Sequence, residues 1–392
     1  MFKDLVNLSS CNTSLLLQSV PGLLISLVGL IMTGSALIDA TNDASLEDVP
    51  IILETNCILA FKGNTEVIFA MYLSSMSQSP LFMYKKYFGY VFVNSNLVLA
   101  QSAIIGLTIG LIGIIGVTLS GELHTELVMS MVTGSLVSCI LTTAMFIVLL
   151  VISIEISKVM GINPDNIILP TISSFGDYMN VKSLMYFTKR FRGISIPLSL
   201  TYIFLSVSIV PLCLCFALSG KKRIPIQPIE VLVMTYVIST AIGYVLENFS
   251  VRFPILAPSF PVFSGMSVSI ALIHLHKIFT SINNQTIHNS TESYITLTLV
   301  SLLMSLIYLV VAMLMGLQYS TEFCILFTIS FVLHVTILLK GISILIEYLD
   351  KKEEDTSVMA LPFITSVSDV LSAGFLLAVV IVLDTFGVKH NF

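Results

Sequence analysis

The chain alternates long apolar runs with short polar links along its whole length. A membrane-spanning helix needs about 20 apolar residues, and the runs that reach such a length predict eleven spans: 15–38, 49–78, 93–119, 127–157, 164–187, 195–218, 229–249, 254–280, 293–317, 321–348 and 358–386. The links, such as the polar stretch from Asp39 to Asp48, are too short to form a soluble domain. The pattern therefore predicts an all-α polytopic membrane protein.

The composition agrees with a membrane protein and argues against most soluble classes. Hydrophobic residues make up 56% of the 392 residues and charged residues 10%, whereas about 25% of the residues in a soluble domain are charged. The formal net charge is −5 and the sequence has no basic patch with interleaved aromatics, so nucleic-acid binding is not indicated. Residues 1–12 hold no apolar run, so we expect no cleavable signal peptide. The six cysteines follow neither a zinc nor a disulfide spacing.

Two apolar segments each carry an aspartate behind a proline. Aligned on Asp177 and Asp369, both segments read Pro-x-Ile-(Ser/Thr)-Ser-x-(Gly/Ser)-Asp. A carboxylate at the centre of a membrane helix costs roughly 2.5–3.5 kcal/mol on insertion scales, so such residues usually mark a functional site. We expect two half-sites around one ion path. The alternative is a structural role, in which Ser174 and Ser366 hydrogen-bond the two carboxylates across a helix turn.

The duplication extends beyond these segments. Glycine interrupts a long apolar run at Gly63 and again at Gly265, and the first and seventh spans end in the acids Asp39 and Glu247. The chain then divides into a short cytosolic N-terminus (1–14), a first five-helix repeat (15–187), a linker helix with a basic loop (188–228) and a second repeat (229–392). Because one helix joins two units of five, both repeats share one orientation, related by a two-fold axis along the membrane normal.

The distribution of lysine and arginine predicts the orientation. Most basic links fall on one side, and the acidic link after Asp39 falls on the other. The positive-inside rule then places the N-terminus in the cytosol and the C-terminus outside, with the plasma membrane as the expected location. The run from Lys189 to Arg192 disagrees, because it falls outside. The glycosylation sequons at Asn284 and Asn289 would be cytosolic and unused.

Four further polar residues are candidates for the ion path. Asn64 follows Gly63 at a predicted helix break, where its amide oxygen would join freed backbone carbonyls or would cap the helix. Glu66 lies at a spacing where an acid complements a helix dipole, so capping and ion contact are both open. Asp39 and Glu247 lie near span ends and either attract ions to a mouth or simply meet water.

Three other residues also carry ionisable side chains within apolar segments. Glu54 lies in an apolar stretch, either at the outer interface or along the ion path. His274 and His276 are two residues apart, and such a pair does not share a helical face. We therefore do not predict a histidine metal site.

These features resemble the eukaryotic MgtE-like magnesium transporters, solute carrier family 41. The resemblance rests on segments that match the family: Ile162-Asn-Pro-Asp-Asn166 through Phe175-Gly-Asp177, Lys62-Gly-Asn64 with Glu66, Glu230 followed by Val237-Ile-Ser239, and Pro362 to Asp369. It implies a transporter and not an enzyme, built from two fused five-helix units and a linker helix. It also implies that Mg2+ passes between the units, with Asp177 and Asp369 facing the ion through its water shell. Met266 departs from the family, which usually has asparagine there.

The chemistry of Mg2+ fits this resemblance independently. Mg2+ dehydrates reluctantly and prefers oxygen ligands in octahedral geometry, so one or two carboxylates with waters and carbonyls suit it. The expected partners are the lipid bilayer and Mg2+, and we expect a monomer with an internal pseudo-dimer. The resemblance leaves Na+ open as a coupling ion. The alternative from another class is a transport-silent membrane protein that binds a partner.

Overall fold

The computed structural model describes residues 13–78, 84–120, 124–160, 164–220, 224, 229–283, 290–317, 319–350 and 356–386. These residues form eleven α-helices in the order α1 Thr13–Thr41, α2 Ile51–Gln78, α3 Tyr84–Ser120, α4 Thr125–Met160, α5 Pro164–Phe191, α6 Ile196–Ser219, α7 Ile229–Arg252, α8 Leu256–Asn283, α9 Ser290–Leu314, α10 Thr321–Asp350 and α11 Thr356–Thr385. A short 3-10 helix, Ala44–Leu46, lies between α1 and α2. Each predicted span corresponds to one helix, and the largest difference is the start of α3 at Tyr84 instead of residue 93. The sequons at Asn284 and Asn289, and residues 1–12 of the predicted N-terminal segment, lie outside the described residues.

Eight helices of the described chain are long and apolar enough to cross a membrane. The other three are α2, α5 and α7, which are the helices that carry Asn64, Glu66, Asp177 and Glu247. They pack against neighbouring helices, with α2 against α3, α5 and α7, and α5 also against α1 and α4. Protein contacts thus surround these helices, so polar side chains within them can find partners in the protein instead of lipid. The prediction of an all-α polytopic membrane protein is confirmed.

The predicted helix breaks at the two glycines are wrong. Helix α2 continues through Gly63 and α8 continues through Gly265. A glycine inside a helix costs only about 1 kcal/mol relative to alanine, and packing within the protein offsets a cost of this size. An added Cβ at Gly265 would lie 2.4 Å from a methyl carbon of Leu30. This glycine therefore serves close packing of α8 against α1 and does not interrupt the helix.

The helix contacts of the first five helices recur among the last five. The contacts α1–α5, α2–α5 and α4–α5 have counterparts in α7–α11, α8–α11 and α10–α11, and the contact of α1 with α8 has a counterpart in that of α7 with α2. Glycines lie at both of these crossings, with Gly34 against Pro258 and Gly243 against Leu53. Helix α6 packs on α3 and α4 with one face, and most of its surface is exposed. The contacts among α1–α5 and among α7–α11 thus share a common pattern.

Helix α1 holds α5 close to the centre of the molecule. An added Cβ at Gly29 would lie 2.9 Å from the carbonyl carbon of Ser174, and one at Gly34 would lie 2.5 Å from the carbonyl oxygen of Pro258. Small residues let helices approach closely where lipid supplies no hydrophobic drive for association. Glycine is therefore required where α1 meets α5, one turn before Asp177.

Ion pairs account for the basic run that disagrees with the charge rule. At the end of α5 and in the acidic link between α1 and α2, opposite charges meet in three pairs: Lys182 with Asp39, Lys189 with Asp43, and Arg192 with Asp48. The corresponding ends of α7 and α11 are joined by Arg252 and Asp384 at 2.6 Å. Two residues of the basic run, Lys189 and Arg192, are thus paired with acids of the link between α1 and α2.

Candidate functional site

A cavity of about 90 Å³ lies where α2, α5, α8 and α11 meet. Its polar lining includes Asn64 of α2, Asp177 of α5, Ser264 of α8, and Thr365 and Asp369 of α11. Among the described lining residues, Asp177 and Asp369 are the charged ones. The structure thus brings three of the six predicted site residues around one space. That space has room for a few water molecules.

Helix α8 positions the carboxylate of Asp369. The Ser264 hydroxyl donates a hydrogen bond to Asp369 Oδ1, and the hydroxyls of Ser267 and Ser368 lie 2.8 Å apart across the same helix contact. Ser366, which the sequence offered as a structural partner, instead donates to the Pro362 carbonyl at 2.8 Å. The carboxylate is therefore oriented from a neighbouring helix and not from its own.

Helix α11 also contacts α2 through Asn64. The Thr365 hydroxyl donates a hydrogen bond of 2.9 Å to Asn64 Oδ1, and Asn64 is 5% exposed. At the corresponding place in α8, Met266 is 1% exposed and belongs to the apolar core. An amide oxygen thus faces the cavity in one half, whereas the thioether of the other half packs in the core.

Glu66 lies behind the cavity and forms an ion pair. Its Oε1 is 2.5 Å from Lys62 Nζ and accepts a hydrogen bond from the Thr143 hydroxyl at 3.1 Å. Lys62 also donates to Asn180 Oδ1 of α5 at 2.7 Å. Because α2 continues through Gly63, Glu66 lies inside a helix and the capping interpretation is wrong. The structure does not place Glu66 in the cavity lining.

Asp39 and Glu247 lie away from the cavity. The Asp39 side chain is 59% exposed and pairs with Lys182 at 2.7 Å. Glu247 Oε2 accepts hydrogen bonds from the backbone N–H groups of Ile52 at 2.8 Å and Leu53 at 2.9 Å. These are unsatisfied donors at the start of α2, where a negative charge also complements the helix dipole. Glu247 is therefore an N-terminal cap supplied by another helix.

A second cavity of about 330 Å³ lies beside this cap. It is lined by the acids Glu47, Asp48 and Glu247, together with Tyr244 and Asn248. Asp48 is already paired with Arg192 and Glu247 with the α2 backbone. The structure thus places one of the two predicted mouth residues, Glu247, at a polar opening, whereas Asp39 is not part of its lining.

Glu54 is buried in a way that the sequence did not predict. Its side chain is 0% exposed, and its carboxylate oxygens have no hydrogen-bond partner within the described part of the chain. An added Cβ at Gly113 would lie 2.2 Å from Glu54 Oε1, so a glycine on α3 makes room for the carboxylate. The interpretation of Glu54 as an interface residue is wrong, and it is not among the lining residues of the central cavity.

Sequence reasoning missed three polar residues near the cavity. Ser264 stood directly before Gly265, and Thr365 occupied the (Ser/Thr) position of the duplicated motif. Lys62, an ammonium inside an apolar span, was itself a signal, because charges at membrane depth are rare and usually paired. The described residues contain no group of three or more His, Cys, Asp or Glu side chains arranged to hold a metal ion.

The cavity thus offers hard oxygen donors and no soft ones. Two carboxylates, an amide oxygen and serine or threonine hydroxyls converge, and no cysteine or histidine is among the described lining residues. Oxygen donors suit hard divalent cations, whereas Zn2+ and Cu+ favour imidazole and thiolate ligands. The arrangement can therefore hold a divalent cation that keeps part of its water shell.

Comparison with known families agrees with this chemistry. The model of the MgtE family, described as divalent cation transporters, matches residues 55–187 and 260–379. The first match runs from α2 to α5 and the second from α8 to α11, so they include Asn64, Asp177 and Asp369. Comparison with curated proteins and with solved structures gave no match. The matched residues make up more than half of the chain, which therefore belongs to the MgtE family of divalent cation transporters.

Proposed function

We propose that the protein carries Mg2+ across the membrane through the central cavity. One observation carries the proposal: Asp177 and Asp369, from separate matches to the family model, line the same cavity. Two carboxylates in a small oxygen-lined space supply the partial coordination that Mg2+ accepts, because this ion keeps several of its waters. The absence of sulfur and imidazole from the described lining favours Mg2+ over softer metals.

The six candidate residues then have different roles. Asp177 and Asp369 face the ion directly or through water, and the Asn64 amide oxygen adds a neutral ligand. Glu66 influences the ion from behind the cavity. Glu247 and Asp39 lie nearer the helix ends, where their charge raises the local concentration of cations.

The molecular arrangement in this proposal consists of two repeats, 15–187 and 229–392, joined by the linker region 188–228. The matching helix contacts of the two halves support this division. The N-terminus lies in the cytosol and the C-terminus outside, in the plasma membrane. One chain forms the complete ion path, and its activity is transport without a catalysed reaction.

Removal of either central carboxylate tests the proposal. In proteoliposomes with an entrapped Mg2+ indicator, we expect Asp177→Asn and Asp369→Asn to lower Mg2+ flux by about tenfold or more, because each removes a full charge from the ion's surroundings. Asp384→Asn is the matched control, since Asp384 lies outside the cavity and pairs with Arg252. Repeating the measurement with and without a sodium gradient tests whether Na+ is coupled.

Two outcomes would contradict the proposal. Wild-type flux in both central variants would remove Asp177 and Asp369 from the ion path. Lack of flux in the wild-type protein, together with stable folding, would favour a transport-silent membrane protein that binds a partner.

A further inference from the structure

Lys62 is a buried cation whose role the transport proposal leaves unexplained. It is 1% exposed in the middle of α2, and its ammonium donates to Glu66 Oε1 at 2.5 Å and to Asn180 Oδ1 at 2.7 Å. Burying two charges carries a desolvation cost that their attraction often only offsets. Stability alone is therefore a weak reason for this ion pair.

The ion pair lies directly beside Asp177. An added Cβ at Gly176, the residue before Asp177, would lie 3.7 Å from Glu66 Oε2. Asn180, the acceptor of the second Lys62 bond, follows Asp177 by three residues on the same helix. The pair thus flanks the carboxylate from behind, within reach of its charge.

The second half of the molecule lacks this pair. When the chain is aligned on Gly63 and Gly265, serine and valine stand at the positions of Lys62 and Glu66. That serine, Ser264, donates to Asp369, so a neutral hydroxyl occupies the place of the ammonium. The charge pair is therefore a feature of the first half alone, added where the cavity already has its two carboxylates.

We propose that Lys62 sets the net charge of the cation site and thereby its selectivity for ions of charge two. Three carboxylates, of Asp177, Asp369 and Glu66, and one ammonium, of Lys62, leave a formal charge of −2 in and beside the cavity. A single Mg2+ neutralises that charge. Without Lys62 the same region carries −3 and favours a trivalent ion or an additional monovalent one. This inference rests on the proposed function.

The test compares Mg2+ with La3+, a hard trivalent cation that also prefers oxygen. The affinities of both ions are measured by calorimetry on the purified full chain in detergent, for the wild type, Lys62→Gln, Glu66→Gln and the double variant. The ratio of La3+ to Mg2+ affinity should rise by about tenfold or more in Lys62→Gln and fall by about the same factor in Glu66→Gln, because each changes the site by one charge. The double variant restores −2, so its ratio should return to that of the wild type.

A structural role predicts a different result. If the pair only holds α2 against α5, both single variants lower the melting temperature and leave the ratio of affinities unchanged, which would overturn the proposal. If Lys62→Gln does not fold, Glu66→Gln and the double variant still test the proposal, because they differ by one charge at the site. Equal ratios of La3+ to Mg2+ affinity in these two variants would contradict it. Asp177→Asn distinguishes failure of this inference from failure of the proposed Mg2+ site. If Asp177→Asn loses Mg2+ binding while the Lys62 and Glu66 variants keep the wild-type ratio of affinities, this inference is refuted and the proposed site stands.

Discussion

At the scale of single residues, the two halves of the molecule treat equivalent positions differently. Asn64 directs an amide oxygen to the cavity and accepts a hydrogen bond from Thr365, whereas Met266 is buried in the apolar core. A thioether is a weak acceptor, so its position away from the cavity agrees with its chemistry. The ion is therefore expected to lie closer to Asn64 than to Met266.

Truncation of these two residues should separate binding from stability. Asn64→Ala removes one neutral oxygen, and we expect Mg2+ affinity to fall about two- to tenfold, as for the loss of a hydrogen-bonding group worth roughly 0.5–1.5 kcal/mol. Met266→Ala leaves a core cavity and should lower the free energy of unfolding by about 2–5 kcal/mol with little change in affinity. Calorimetry and thermal unfolding of both variants measure the two effects. Unchanged affinity in Asn64→Ala would exclude the amide as a ligand.

Outside the membrane, Asp43 gives the molecule a dependence on acidic pH. The hydrogen bond from Lys189, together with those from the Ser45 hydroxyl and N–H, lowers the pKa of Asp43 from 3.8 to about 2. A carboxyl group with a lower pKa in the folded state stabilises the fold above its unfolded pKa, and the contribution is lost as the pH falls through the folded value. The relevant range is therefore pH 3.8 down to about 2.

The variant Asp43→Asn tests this pH dependence. Its melting temperature should fall less than that of the wild type between those two pH values, because asparagine has no proton to gain. Thermal unfolding in detergent at a series of pH values measures the difference. Parallel curves for the two proteins would contradict the lowered pKa.

At the scale of elements, α2 is the central helix of the site. It carries Lys62, Asn64 and Glu66, and nearly all of its described side chains are buried. An α-helix that is buried all round needs its terminal N–H groups satisfied by the protein. Glu247 of α7 does this at the start of α2, so a helix from the other half fixes where α2 begins.

Removal of this cap should destabilise the fold. Glu247→Ala leaves two buried backbone N–H groups without their acceptor, and we expect a loss of about 1–2 kcal/mol, as for other N-terminal caps. Glu322→Ala is the control, because Glu322 lies in the first turn of α10 but is exposed. Thermal unfolding of the purified variants measures both, and equal melting temperatures would show that the cap contributes nothing.

At the scale of the whole molecule, ion pairs determine which basic residues count when the positive-inside rule is used to predict the orientation. The basic residues at the end of α5 meet the acids of the link after α1, so they count little toward a cytosolic location. The remaining basic links then agree on one side, so we predict a cytosolic N-terminus and a C-terminus outside.

Epitope tags test this orientation. A tag after Phe392 should be labelled by antibody on intact cells, whereas a tag before Met1 should be labelled only after permeabilisation. The opposite labelling would invert the topology, and labelling of both tags from outside would require an even number of spans.

The sequence by itself determined the number of helices in the described chain, their ends to within a few residues except at the start of α3, and the two aspartates that line the cavity. These features are local, because an apolar run of sufficient length must form a helix in the membrane and a carboxylate within such a run stands out. The sequence also indicated the family, and three of the four segments that carried the resemblance lie within the residues that the family model matches. It wrongly predicted helix breaks at Gly63 and Gly265, since a glycine within an apolar run does not by itself end a helix.

Only the tertiary structure decided which polar groups meet. Glu247 caps α2 across 195 residues of sequence, and Thr365 bonds Asn64 across 301. Whether Glu66 faces an ion or an ammonium depends on the rotation of α2 about its axis relative to α5. Because α2 is buried on nearly all sides, its sequence has no polar face from which this rotation could be predicted. Hydrogen bonds and ion pairs need atoms within about 3 Å, and spacing along the chain fixes such distances only within a helix.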